Sequence, residues 1–273
     1  MFRIEGRRSA FHGALKLAEV IYHASVRSVR KSQGNAVIGL IINIVQSLVM
    51  LLVLYAMFSL LGMRGNAIRG DYFLYLMSGI FLFMAHNKTL KAVSKADSST
   101  SSMMLHAPMT TFVAIAAAAI GALYQQFLAM FVILFVYHVA VAPVYIDDPA
   151  GAVAMILLAW FSGIAIGLLF YAANPWWPAG VGIISSIYMR ANMITSGKMF
   201  VANNLPNWQI QLFDWNPLFH AVDQERGFVF LNYFPRTTSV MYPLYFSLAC
   251  LVIGVMAEFF TRQRASASWS LRG

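Results

Sequence analysis

The chain has 273 residues, 60% of them hydrophobic and only 11% charged, where soluble domains run about 45–50% and about 25%. A mean hydropathy of +0.67 excludes an ordinary soluble globule and excludes disorder, since neither could keep so much apolar surface from water, so the chain reads as an integral membrane protein. The 19 Lys and Arg against 10 Asp and Glu leave a net charge of +9, and the single cysteine, Cys250, excludes an intrachain disulfide, a cysteine zinc site and an iron–sulfur cluster.

Residues 1–35 are polar and basic and lack the apolar core and small-residue cleavage site of a removed signal peptide, so none is expected. Within them Phe11, Leu15, Ala18, Tyr22, Val26 and Val29 recur at steps of three and four, while Lys16, His23, Arg27 and Arg30 fall largely on the other face. This predicts an amphipathic helix along the interface, its stripe in the acyl boundary and its cations near anionic lipid. A simple surface anchor and a helix that also meets a cytoplasmic partner are both consistent with it.

Apolar runs of about 20 residues, the length that crosses about 30 Å of hydrocarbon, place six spans at residues 36–61, 72–93, 112–142, 152–173, 179–195 and 239–260. The first is interrupted by Asn43 and Gln46, and the third carries Gln125 and Gln126 at mid-depth. The second is short unless Lys88 and Lys91 snorkel to the interface. The fifth follows the breaker Asn174-Pro175-Trp176-Trp177-Pro178 and contains Arg190. Central placement of that cation would cost about 2.5–3.5 kcal/mol. It therefore faces a polar pathway or a partner, or snorkels outward from a position close to the span's end.

Six spans put both termini on one side. The N-terminal segment, the second-to-third connection with Lys88, Lys91 and Lys95, and the tail with Arg262, Arg264 and Arg272 together hold thirteen of the 19 cations. By the positive-inside rule that side is cytoplasmic, so topology accounts for most of the basic excess and no nucleic acid is implied.

The connection at residues 98–111 is too polar to face lipid. Its hydroxyl run through Ser101 precedes Met103, Met104 and Leu105, with His106 and the stop Pro108 behind them. This is the pattern of a short capped helix with an apolar knob for a soluble partner, or of a mere connector. Residues 196–238, on the outer side, are rich in Phe, Trp and Tyr and punctuated by Pro206, Pro217 and Pro235, which predicts short re-entrant or interfacial helices.

Little points to catalysis or to a cofactor. No two of the six histidines lie three to five residues apart, and no phosphate-binding G-x-x-x-x-G-K-[ST] occurs. No Asp or Glu sits in the middle of a span to carry protons. His220, Asp223 and Glu225 could be a metal or acid–base group, or an interfacial hydrogen-bond cluster.

The outer segment carries a resemblance. Ser196-Gly197-Lys198-Met199-Phe200, Leu205-Pro206, Trp215-Asn216-Pro217-Leu218-Phe219-His220 and Glu225-Arg226-Gly227, about 32 residues in all, resemble the signature of type-2 ABC exporter permeases. Among these the closest likeness is to capsular-polysaccharide export permeases of Gram-negative bacteria, and the layout resembles theirs over nearly the whole chain. The resemblance implies an all-α inner-membrane permease, not itself an enzyme, that works as a homodimer of twelve spans. Two separate ABC ATPase subunits would drive it and a periplasmic polysaccharide co-polymerase would receive the product. It makes residues 98–111, through Ser101, Met103, Met104, Leu105, His106 and Pro108, the helix seated in the ATPase. It makes the substrate a lipid-linked, often acidic, polysaccharide moved from cytoplasm to periplasm.

Aromatic rings hold sugar faces weakly and without sequence preference. Tyr72, Tyr75, Trp160, Tyr188, Trp208 and Trp215 are therefore channel candidates, with Arg190 and Lys198 as attractors of an anionic chain. Most of these rings would serve equally as lipid-facing belt residues. Ser196, Gly197, Phe200, Pro206, Asn216, Pro217, His220 and Arg226 carry the outer motif. An O-antigen, teichoic-acid or drug exporter of the same fold is the nearest alternative. A membrane enzyme acting on lipid-linked sugars is the more distant one.

Overall fold

A computed structural model describes residues 10–33, 36–60, 68, 70–96 and 110–270. Among these residues 82% are helical and none is in a strand. The helices are α1 (Ala10–Gln33), α2 (Ala36–Leu60), α3 (Tyr72–Ser94), α4 (Thr111–Ala140), α5 (Pro149–Ala173), α6 (Pro178–Thr195), α7 (Asn207–Phe213), α8 (Pro217–Val229) and α9 (Met241–Ser270), with a single 3-10 turn at Ala202–Asn204.

Their starts are written in short polar signals. Asp148 Oδ1 accepts from the amides of Ala150 (3.0 Å) and Gly151 (3.1 Å), with Pro149 in the first turn. Asn216 repeats the device at α8, accepting from Leu218 at 3.0 Å ahead of Pro217. In both cases the cap satisfies amides that the first turn leaves free, and proline occupies a place where no amide hydrogen is missed.

Among the described residues, four helices are long and apolar enough to cross a membrane: α2, α4, α5 and α9. The C-terminal part of α3, toward the end expected from charge to be the inner one, is made polar by His86, Asn87, Lys88 and Lys91, and α6 has only 18 residues, about 27 Å at 1.5 Å per residue. α3 starts beside the loop that follows α6, with Gly79 against Lys198, and finishes beside the end of α5, with Leu90 against Gly167. α6 starts just after α5 ends, and its Asn192 reaches Asn216 before α8. α9 keeps its helical form to Ser270, ten residues past the apolar run, because Arg262, Gln263 and Arg264 are as good helix formers as the residues before them.

α3 is the axis of the bundle, buried without interruption from Leu74 to His86. α5 lies parallel to it at unusually close range. A Cβ at Gly163 would stand 2.5 Å from the carbonyl oxygen of His86, and one at Gly167 would stand 3.0 Å from that of Leu90. Small residues one turn apart permit this backbone approach. At the same depth His86 Nδ1 meets Ser162 Oγ at 2.8 Å, and its Nε2 meets the Tyr188 hydroxyl at 3.1 Å, joining α3, α5 and α6. The large apolar core fills the outer half, from Leu51 and Phe58 of α2 through α3, Met130 and Ile133 of α4 and Met155 of α5 to Leu218 and Val222 of α8. Among the described residues the inner half holds a small cluster of Val93, Ala119, Leu168 and Tyr171.

Candidate functional site

The outer end is organised around Arg226. This side chain of α8 is fully buried, and its guanidinium donates from Nη1 to the carbonyls of Gly197 (2.9 Å) and Phe200 (2.6 Å) and from Nη2 to that of Lys198 (3.0 Å). It also lies 4.2 Å over the ring of Tyr75. A planar fork spreads its fixed donors over separate nitrogens, so it reaches three carbonyls that a single ammonium nitrogen would have to gather at one point. The carbonyls converge because the chain reverses at Gly197, whose φ of +73° disfavours other residues. The loop can sink onto α3 because Gly79 has no side chain: a Cβ there would stand 2.9 Å from Lys198 Cα.

Lys198 is thereby fully buried, with Nζ 3.3 Å from the centroid of the Phe83 ring and no hydrogen-bond partner among the described residues. Burial draws its pKa down from 10.5 to about 7. Asn216 ties the same loop to α6, donating to Asn192 Oδ1 (2.9 Å) and Thr195 Oγ1 (2.7 Å) while capping α8. Ser196 is buried beside it, Phe200 stacks on Phe213 with centroids 5.2 Å apart, and Pro217 is buried in the first turn of α8. Pro206 precedes α7 at the exposed edge. The quoted motif is thus one hydrogen-bonded unit.

The carboxylates and histidine of α8 do not converge. His220 Nδ1 accepts from the Ser239 amide at 3.2 Å, so Nε2 carries the hydrogen and donates to the Asp214 carbonyl at 2.8 Å. Asp223 accepts from the Tyr233 hydroxyl and from Thr238 Oγ1, the latter at 2.7 Å. Glu225 points elsewhere, into an apolar cavity of about 370 Å³ beside Leu74, Met77, Phe81 and Ile156. Its Oε2 is buried without a partner among the described residues, and burial, against the opposing pull of Arg226, raises its pKa well above the usual carboxylate range. This arrangement is a set of hydrogen bonds closing the α8 corner, and among the described residues no three His, Cys, Asp or Glu side chains come together as a metal-holding group.

The channel candidates are dispersed within the single chain. Tyr72 and Tyr75 stack with centroids 5.7 Å apart on the outer part of α3, where Tyr75 is almost wholly buried. Trp160 donates to the Ala119 carbonyl at 2.9 Å, at the end of an apolar groove between α4, α5 and α9 that lies away from Thr111 and Arg262. Tyr188 binds His86, Arg190 is exposed on α6, and Trp208 and Trp215 are exposed at the outer end. The structure joins Tyr72 to Tyr75, and Tyr75 to the Arg226 unit that also holds Lys198. It does not join the rest. Ser101, Met103, Met104, Leu105, His106 and Pro108 lie outside the described residues.

Two polar groups escaped the sequence reading. One is His86 with Ser162 and Tyr188. The other lies near the inner end, where Lys88 Nζ donates to Asn43 Oδ1 and Asn43 Nδ2 donates to the Gln125 carbonyl at 2.6 Å. Their signal was present as polar residues interrupting apolar runs, but pairing them requires knowing which helices touch.

The model of a protein family described as ABC-2 type transporter matches residues 19–230 of the chain. Among curated proteins, none matches it.

Proposed function

The chain belongs to the ABC-2 type transporter family as a membrane-integral permease subunit, and we propose that it exports lipid-linked capsular polysaccharide across a bacterial inner membrane. Membership implies an ATPase partner subunit and leaves the chemistry of ATP to that partner. The observation that carries the finer reading is the outer motif from Ser196 to Gly227. It packs as one unit against α3, around three carbonyls held by Arg226.

In this reading six helices cross the bilayer, α3 and α6 included, both termini are cytoplasmic, and residues 196–238 form a re-entrant outer mouth. α6 supports a homodimer with the path between copies. It touches the rest of its own chain sparingly and leaves Ile183, Ile184, Ile187 and Ile194 exposed beside the exposed Arg190. Residues 98–111 seat in the ATPase. Closure of the ATPase pair pushes them, and the packed helices answer as rigid bodies. An acidic polymer is drawn along by Arg190 and held weakly on aromatic faces before a periplasmic co-polymerase receives it.

The test is reconstitution of the chain with its ATPase in vesicles. ATP-dependent transfer of a lipid-linked acidic polysaccharide to the far side is the expected result. ATP turnover that moves only a small amphiphile, or a lipid-linked O-antigen or teichoic acid in preference, overturns the substrate. Met104→Glu should bring transfer to background while insertion is unchanged, and undiminished transfer would remove the coupling role from residues 98–111.

A further inference from the structure

At the inner end α1, α2, α3 and α4 surround a cleft of about 340 Å³ that the export reading does not use. Three of its lining residues are Lys88, Lys91 and Lys95, spaced three and four apart on one face of α3 and spread over about 10 Å of helix. Lys91 and Lys95 are exposed, whereas Lys88 is partly buried and held by Asn43, itself fixed to Gln125 of α4. Ser28, Gln46 and Gln125 add neutral polar groups, and no carboxylate lines the cleft among the described residues. Gly39, Gly121, Ala118 and Ala122 keep it open, and Ile42 and Val29 give it an apolar wall. Three cations face a space that no carboxylate of the described residues lines.

We propose that this cleft binds the phosphate-bearing headgroup of a resident anionic phospholipid, its phosphate between the lysines and its acyl chains continuing along the apolar wall. The ammonium groups are compact point charges suited to phosphate oxygens. They are graded in depth from the helix end inward, where a headgroup meets hydrocarbon, and basic pockets between helices at this level are headgroup sites. The cleft also lies where α1 rests on the bundle, with Ser25 and Val29 against Gly121. A bound headgroup therefore fastens the amphipathic helix to α2, α3 and α4. The site does not depend on what is exported, and a failed export assay leaves it untouched.

Purified full-length chain, exchanged into detergent micelles containing dioleoylphosphatidylglycerol, should unfold about 3–6 °C higher than in micelles containing dioleoylphosphatidylcholine. Native mass spectrometry should show phosphatidylglycerol retained. Lys88→Gln, Lys91→Gln and Lys95→Gln together should abolish both signals, the three Lys→Arg changes should keep most of them, and Arg262→Gln with Arg264→Gln should keep all. Lys91→Glu changes an exposed rung alone and should weaken retention several-fold, so the test survives if the triple variant does not fold. The proposal is overturned if the glutamine or Lys91→Glu chain is stabilised as fully as the original. It is also overturned if the Arg262/Arg264 change removes the shift, or if inorganic phosphate alone reproduces it.

Discussion

The two ends of the bundle treat positive charge in opposite ways. At the outer end Arg226 and Lys198 are sealed inside the chain, one on three carbonyls and the Tyr75 ring, the other over Phe83. At the inner end Lys88, Lys91 and Lys95 line an open cleft beside a thin core. A buried cation answered by the chain's own dipoles is a structural element. A row of cations in an open cleft with no carboxylate among the described lining residues is a place for something else. Charge counting treats both alike, and only burial separates them.

The most severe way to break the contrast is Arg226→Ala. It leaves three loop carbonyls without their donor in a dry interior, and should cost on the order of 3–5 kcal/mol of stability. Unfolding in detergent measures it, and a loss below about 1 kcal/mol would mean that the outer unit does not depend on this residue. Gly79→Ala attacks the same unit from α3. Its Cβ would collide with the Lys198 backbone, and a loss of about 1–3 kcal/mol is expected.

Lys198→Met sharpens the comparison through pH. In the unfolded chain the amine keeps its proton to about 10.5, while in the fold it gives it up near 7. The folded state binds fewer protons between those values, so stability rises with pH across that window, and the full penalty applies below about 7. The methionine variant should lose this alkaline rise in a pH series of melting curves. Glu225 acts in the opposite sense. It keeps its proton above the ordinary carboxylate range, so its contribution falls as pH rises from that range through its raised value. Arg190→Ala should give the smallest change in stability, within about 0.5 kcal/mol for an exposed side chain. It should still reduce transfer of an acidic polymer several-fold, and normal transfer would leave Arg190 without a part in the path.

Much of the helical layout was legible because apolar runs and proline breaks act locally. α1 was legible from its periodicity, and Leu15, Tyr22 and Val26 of its stripe are indeed left uncovered by the rest of the chain. The outer motif was legible as a pattern but not as a mechanism of packing. The targets of Arg226 are carbonyls 26 to 29 residues away, brought round by one positive φ, and residue identity says nothing of where a carbonyl points. Lys198 read as a charge for the substrate path, yet Gly79 lets its loop sink until the amine lies inside the chain. Lys88 read as a snorkelling cation. Its bond to Asn43 depends on the meeting of α2 and α3, a tertiary fact outside any single window.

The Gly163 and Gly167 seam bears on how such a machine can move. Two backbones in contact at successive turns mesh like teeth, and one helix cannot slide along the other without lifting away from it. α3 and α5 therefore behave as a single shaft through the molecule. An axial displacement of α3 would carry α5 with it, together with the loop that rests on Gly79. α6, which touches the rest of the described chain sparingly, is the helix with room to move against that shaft.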